Sequence, residues 1–236
     1  MNIISNSDFK EKIKKGERRF ENLKVTNGVK LLPEHFIDAQ APDHGLSFSN
    51  CEFDLITLRD FNLGVGLTLN KVKINHSLRI NNCHCKVSED FDLLSEAIHL
   101  YEVELGGTFE ISDCSFEKSI ELKKCQFADI KCIGLTTKGA VRLDDLKISE
   151  PCFFREVKTE KGFDIFKVTS TENFSLESIS GSGIWLSHCD FKKGPDFTEC
   201  DIKKLDFDHG IYHDDVEIDY LKAGSLTFFR NDFQRG

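Results

Sequence analysis

The segment Cys83–Cys85, with His84 between the two cysteines, contains the residue types that most often bind zinc. A zinc site forms where thiolates or imidazole nitrogens converge on one point. In an extended strand, successive side chains point to opposite faces, so the two cysteines share one face and His84 lies on the other. The three side chains cannot meet at one ion, and we predict no metal site here.

A second candidate is the segment HGIYHDD, which combines His209 and His213 with Asp214 and Asp215. Histidines four residues apart bind a metal when both lie on one face of a helix. The glycine and the two adjacent aspartates are instead typical of a turn between strands. We interpret the segment as a solvated acidic turn, and we predict a protein without a metal ion or a cofactor.

The sequence contains no nucleophile paired with a base, no glycine-rich phosphate loop and no nucleotide-binding motif. Some parallel β-helices are carbohydrate lyases or hydrolases, but their active sites need long loops and grouped carboxylates. The repeat spacing described below leaves almost no length for such loops. We therefore predict no catalytic residue, and a carbohydrate-active β-helix enzyme is kept as the second alternative.

Acidic residues concentrate between Ser187 and Asp219. The repeat register turns five carboxylates of this stretch outward, namely those of Asp190, Asp196, Asp201, Asp206 and Glu217. A row of carboxylates on a rigid rod attracts a basic partner or imitates the phosphate backbone of a nucleic acid. Outward faces must also be polar for ordinary solubility, so both interpretations stay open.

Two aromatic residues, Phe153 and Trp185, occupy outward positions between inward residues. Large aromatic side chains are frequent anchors of protein interfaces. Scattered exposed aromatic side chains are also normal on protein surfaces. We expect these two on neighbouring faces and take them as candidate protein-binding residues.

These residues are positioned by a repeat that is clearest between Gly107 and Cys132. Its unit is hxhxxhxh, where h is an apolar residue and x is any residue, and the unit recurs 11 residues later. No helix has this period, and a plain alternating strand would not skip twice at fixed places. Similar units continue from Leu46 onward at spacings of 10 or 11 residues. Such a fixed period indicates a repeat architecture.

Each hxh triplet is a very short strand with two inward side chains and one outward side chain, and each xx pair is a corner. Two units then complete a four-sided coil of about 21 residues. The sequence predicts an all-β fold, a parallel β-helix or solenoid of about nine coils over residues 46–236. The unit from Lys86 to Ala97 is irregular, and we predict a bulged coil or a short helix there.

Residues 1–45 show no clear repeat and are predicted to form an N-terminal cap with a short helix. Ser7 is placed to cap a helix from Asp8 to Lys15, which would turn Phe9 toward the coils. Such a cap matters because the open strand edges of a solenoid recruit other chains.

The last unit, Leu226 to Phe233, has almost nothing after it that could cover its edge, and Phe228 and Phe229 add apolar surface. We predict that this C-terminal coil is an interface. Its partner is either a second copy, which would form an end-to-end homodimer, or another protein.

The composition bounds the cellular setting. All nine cysteines fall at inward positions, where a thiol behaves as a small hydrophobe and stays free in a reducing compartment. The formal net charge of −9 argues against direct binding of nucleic acid. No signal peptide and no membrane-spanning run is apparent. We expect a cytoplasmic protein without membrane contact.

Recurring C-x-F pairs, found as CEF, CSF, CQF and CDF beside CDI and CHC, resemble pentapeptide-repeat proteins. That family is built on a five-residue unit with an inward Leu or Phe and a small residue two positions before it. The steps from Ile111 to Phe116 and from Leu122 to Phe127 keep this spacing. The resemblance covers residues 46–233 and implies a right-handed, four-sided β-helix.

The family motif is structural, so the resemblance implies no catalytic residue. Some members resemble DNA in shape and charge and bind type II topoisomerases, and members are typically dimers through an apolar C-terminal end. The main prediction is a non-enzymatic protein-binding or scaffold solenoid whose partner is another protein. The alternative is a DNA mimic whose acidic face binds a DNA-handling enzyme such as a type II topoisomerase.

Overall fold

The computed structural model describes residues 1–36, 45–63, 66–85 and 96–234. These residues form parallel strands that stack as a β-solenoid of about 10 turns, which confirms the predicted fold class. They contain one short α-helix, Asn6–Lys14, and one 3₁₀ helix, Pro33–Phe36. Within the described ranges, neither helix is long and apolar enough to cross a membrane.

Each regular coil consists of four walls joined by four corners. The strands Val141–Asp144, Lys147–Ile148, Cys152–Arg155 and Lys158–Thr159 form walls 1, 2, 3 and 4 of one coil. Walls 2 and 3 belong to one 16-stranded sheet, and walls 4 and 1 belong to the other. Each sheet therefore continues around a corner, and the core lies inside the coil.

The remaining strands follow the same arrangement. Wall 1 also contains Arg19–Glu21, Leu46–Ser49, Leu67–Asn70, Glu96–Tyr101, Ser119–Lys123, Phe163–Phe166 and Ile184–Ser187. Wall 2 also contains Asn2–Ser5, Leu23–Thr26, Thr169–Ser170, Asp190–Phe191, Ile211–Tyr212 and Asp232–Phe233. Wall 3 also contains Val29–Leu31, Phe174–Glu177, Pro195–Thr198 and Glu217–Asp219. Wall 4 also contains Asn62–Leu63, His84–Cys85, Ser115–Phe116, Thr136–Thr137 and Ser180–Gly181.

Some strands bend through a corner without a break. Those that pass from wall 2 to wall 3 are Glu52–Arg59, Lys73–Asn81, Glu104–Ser112 and Gln126–Ile133. Those that pass from wall 4 to wall 1 are Asp201–Asp208 and Lys222–Phe229.

Equivalent residues of successive regular coils stack directly on one another. Ile165, Leu186 and Phe207 are consecutive register partners, spaced 21 residues apart, and all three are buried. Full burial of such a side chain stabilises the fold by roughly 1.5–3 kcal/mol. The alternation of inward and outward residues predicted from the repeat is therefore the alternation that fills the core.

The corners from wall 1 to wall 2 and from wall 3 to wall 4 are tight, and each turns on one residue in the left-handed backbone region. Asp145 is an example, with a φ of 57°. Its N–H donates to the carbonyl of Phe166 in the next coil at 2.9 Å. Only glycine adopts this region without a steric penalty, although Asn and Asp tolerate it better than most residues. The non-glycine residues at these corners include Asn50, Lys71, Asn82, Glu102, Asp113, Lys124, Glu156, Lys167, Ser178, His188, Glu199, His209, Tyr220 and Arg230.

Strand pairing begins before the predicted start of the repeat at Leu46. Arg19–Glu21 pairs in parallel with Leu46–Ser49, and Val29–Leu31 pairs with Glu52–Arg59. The additional turn relative to the predicted nine coils comes from these early strands. The irregular unit cannot be compared in the same way, because its residues 86–95 lie outside the described residues.

The N-terminal helix differs from the predicted one at both ends. It runs from Asn6 to Lys14, and its cap is Ser5, whose Oγ accepts the Asp8 N–H at 3.1 Å. The assignment of Ser7 as the cap is wrong, because the strand Asn2–Ser5 leads directly into the helix. Phe9 is fully buried, as predicted, and Ile13 of the same helix is fully buried as well.

All nine cysteines are buried and free, as the register predicts. Burial raises the pKa of the Cys125 and Cys200 thiols to about 11, and it raises the pKa of Cys189 to about 12. Because the thiolate is the reactive form, both inaccessibility and protonation make these side chains inert in the folded chain.

This burial predicts slow alkylation of the folded protein. At about pH 8.5, near the pKa of an unperturbed thiol, the urea-unfolded chain should react rapidly at all of its cysteines, whereas the native chain should react slowly. Mass spectrometry that counts alkylated thiols over time measures the difference. Rapid native labelling of Cys125 or Cys114 would contradict the inward register.

The corner geometry predicts effects of different size on stability for two substitutions at the exposed residue Asp145. Asp145→Val should lower the free energy of unfolding by about 1–2 kcal/mol, because a β-branched side chain is strained in the left-handed region. Asp145→Gly should change it by less than about 0.5 kcal/mol, since glycine relieves the strain but adds entropy to the unfolded chain. Urea denaturation measures both values. Equal losses in both variants would show that the left-handed backbone is not the constraint at this corner.

Candidate protein-binding surfaces

The middle residue of each hxh triplet points outward, so stacking aligns outward side chains into columns along each wall. On wall 1 the column runs from Thr68 to Thr227 through register partners in successive coils. Its members between these two are His99, Glu121, Arg142, Asp164, Trp185 and Asp206. A functional surface on this fold therefore consists of residues about 21 positions apart in sequence.

The four candidate aspartates do not form one row. Asp206 lies on wall 1, Asp190 on wall 2, Asp196 on wall 3 and Asp201 on wall 4. The reason is the repeat itself, because one unit supplies two successive walls and the next unit supplies the other two. Outward residues that are close in sequence are therefore distributed around the coil.

These aspartates also have local partners. Asp190 contacts Lys192 Nζ at 3.1 Å and His213 Nε2 at 3.0 Å. Asp201 pairs with Lys222 at 2.8 Å, and Asp206 pairs with Lys204. Asp196 accepts hydrogen bonds from Thr198 Oγ1 at 2.8 Å and Ser175 Oγ at 3.3 Å. The described lysines near these residues thus compensate part of the negative charge.

The two candidate aromatic residues lie on opposite walls, Phe153 on wall 3 and Trp185 on wall 1, so the expectation of neighbouring faces is wrong. The Trp185 ring packs against the backbone of Gly183, so closely that a Cβ added at Gly183 would lie 3.0 Å from the ring. The Arg155 guanidinium lies 4.5 Å from the centroid of the Phe153 ring. Each side chain is half-buried and has an intramolecular contact.

The two motifs first considered for metal binding have separate partners. Cys83 and Cys85 are buried, whereas His84 is exposed, as the alternation predicts. His209 Nδ1 lies 2.6 Å from Oδ1 of Asp208, which is on wall 1. His213 instead contacts Asp190, which is on wall 2. The structure thus directs the two histidines to different carboxylates.

Sequence reasoning missed a column of rings beside the corner between walls 1 and 2. We call it the aromatic ladder, and it consists of Phe166, His188, His209 and Phe229. The His188 and His209 rings stack 5.0 Å apart, and their outer neighbours Phe166 and Phe229 lie 5.5 and 5.7 Å away in edge-to-face contacts. The signal in the sequence is the 21-residue spacing of the histidines. Phe229 therefore belongs to the side of the rod.

The C-terminal end face is a cluster of exposed apolar side chains. It consists of Ile218, Leu226, Phe228 and Phe233, which are 37%, 46%, 47% and 51% exposed. All four occupy inward register positions, but no described strand pairs with the outer edges of the strands that carry them. These side chains are exposed because no described residue forms a further coil that would cover them.

The side chains of this end face are ordered by the coil beneath. Phe228 stacks on the buried Phe207 at 4.7 Å, with an interplanar angle of 10°. Phe233 stacks on the buried Tyr212 at 5.2 Å. Phe228, Phe233 and Ile218 border a depression of about 360 Å³. The N-terminal end contrasts with it, because the N-terminal helix buries Phe9 and Ile13 there.

Comparison of the chain with protein-family models, with curated proteins and with solved structures found no match in any of the three. The class of protein is therefore defined by the structure alone. The chain is a parallel β-solenoid repeat protein.

Proposed function

We propose that this β-solenoid is a non-enzymatic, cytoplasmic protein-binding scaffold, related to pentapeptide-repeat proteins, that joins a second copy through its C-terminal end face. The observation that carries the proposal is the exposure of Leu226, Phe228 and Phe233 at inward positions. Exposed contiguous apolar patches on soluble proteins mark interaction sites. The nine free, buried cysteines support a reducing compartment.

A second copy fits this face for reasons of hydrogen bonding and shape. The last strands present backbone N–H and C=O groups that no described residue satisfies on the outer side, and unpaired edges recruit further strands. The end face of another copy offers strand edges with the same spacing and side chains of the same type. A two-fold axis would pair the edges in antiparallel orientation and bury Phe228 of both copies.

The rim of the end face also suits self-association. Exposed residues of both signs lie on the last coil, among them Asp215, Glu217, Lys222 and Arg230. A rim with both signs can be complementary to its own rotated copy, whereas a rim of one sign would repel it. Charge at the rim sets orientation, and the apolar centre supplies most of the binding energy.

The alternative of imitating a nucleic acid would need carboxylates aligned along one wall. Asp190, Asp196, Asp201 and Asp206 lie on four walls, so no specific observation favours this alternative over the end-face proposal. No specific observation on the described residues favours the carbohydrate-active enzyme over the end-face proposal either.

The proposal predicts that the 236-residue chain is a dimer and that Phe228→Asp makes it monomeric. A carboxylate at this position would be buried without a partner at the centre of the contact, which disfavours association strongly. Analytical ultracentrifugation measures the mass of both proteins. Phe166→Asp is the matched control, because Phe166 is an exposed phenylalanine on the side of the rod, and this variant should remain a dimer.

Circular dichroism and Trp185 fluorescence check that the variants stay folded. A wild-type monomer at all measured concentrations would exclude the second copy as the occupant. If a different protein is captured and its capture depends on Phe228, the end face is still a protein-binding surface, but its partner is that protein and not a second copy. A dimer that both substitutions leave intact would exclude the end face as the contact.

A further inference from the structure

Three side chains with metal-binding atoms converge on wall 1, namely Glu96, His99 and Glu121. One potential ligand atom from each lies within 4.8 Å of the other two. His99 Nδ1 and Glu121 Oε2 are 3.0 Å apart. All three residues are only partly exposed, so the cluster is accessible but not fully solvated.

The fold brings these residues together by two separate means. His99 and Glu121 are register partners in adjacent coils, and both occupy the outward position of their strand. Glu96 joins them through a register shift between Glu96 and Ile98. Because Ala97 and Ile98 are both buried, the irregularity breaks the alternation and turns Glu96 outward on the same wall. A regular strand would have turned Glu96 into the core.

The cluster is bordered by cationic and anionic side chains of the same wall. His99 Nδ1 is shielded from solvent and has no aligned hydrogen-bond partner, although a carboxylate oxygen lies close to it. Arg142 is the register partner of Glu121 in the next coil and contacts Asp164 at 3.6 Å, and Lys123 of the same wall contacts Asp144 at 2.7 Å. Two carboxylates and an imidazole thus lie together on one wall.

We propose that Glu96, His99 and Glu121 bind one divalent transition-metal ion of the Zn²⁺ class. Imidazole suits zinc and its neighbours in the first transition row, whereas Mg²⁺ and Ca²⁺ prefer oxygen ligands alone. Zinc bonds to imidazole nitrogen and carboxylate oxygen are about 2.0–2.2 Å long, so three ligand atoms on one ion lie roughly 3–4 Å apart. The three ligand atoms now lie within 4.8 Å of one another, and small side-chain movements would bring them to these distances. Water would complete the coordination.

Isothermal titration of the EDTA-treated 236-residue protein with zinc chloride tests the site. We expect one ion per chain, with affinity weakened at least about tenfold in His99→Gln and in Glu121→Gln. His213→Gln is the matched control, because His213 also contacts a carboxylate, Asp190, but has the ammonium of Lys192 beside it. That variant should bind zinc as tightly as the wild type, and magnesium chloride should not compete.

Cobalt substitution and thermal unfolding separate a real site from a structural contact. Cobalt(II) should give ligand-field absorption without a thiolate charge-transfer band, and His99→Gln should lose it. Zinc should raise the melting temperature of the wild type but not that of His99→Gln, whereas without metal the two should melt alike. Absence of wild-type binding, equal binding in His99→Gln, or a thiolate band that assigns the ion to cysteines would each overturn the proposal.

Discussion

Each coil of this protein satisfies its backbone hydrogen bonds through the coils on either side of it. The N–H of Asp145, for example, donates to the carbonyl of Phe166 one coil further on. Strand order, register and core packing all depend on this single constraint, because only in-register stacking pairs every backbone group. The same constraint leaves the two ends different from the middle. The N-terminal end is covered by a helix, and the C-terminal end face retains apolar side chains in contact with solvent.

The tight corners are the second element of the architecture, and they carry a conformational cost. At each of these corners, one residue in the left-handed backbone region turns the chain within two residues. Most of the residues at these positions are not glycine. The corners consequently display side chains at regular intervals along the rod. At one corner this produces the stacked rings of His188 and His209, which no local sequence pattern would suggest. The corners that turn the chain therefore also determine which side chains stack on the surface.

Chemistry on this scaffold depends on which outward residues share a wall. His99 and Glu121 are adjacent because they belong to the same wall of neighbouring coils. Asp201 and Asp206 are close in sequence but lie on walls 4 and 1. A column of one wall can therefore build a site from single residues of several coils, whereas a cluster in the sequence is spread around the rod. A binding site on such a protein is therefore formed by residues that are far apart in the sequence.

The sequence by itself determined the parallel solenoid, the inward positions and the burial of all nine cysteines, because alternation within a strand and a fixed period follow from local geometry. Only the tertiary structure decided which wall each outward residue occupies, that the pairing includes Arg19–Glu21, and that Ser5 caps the helix. It also decided that Glu96 turns outward. These features depend on register between residues more than 20 positions apart and on one local bulge. A pattern of apolar residues specifies the two faces of a strand, but it does not specify which coil and which wall a side chain will meet.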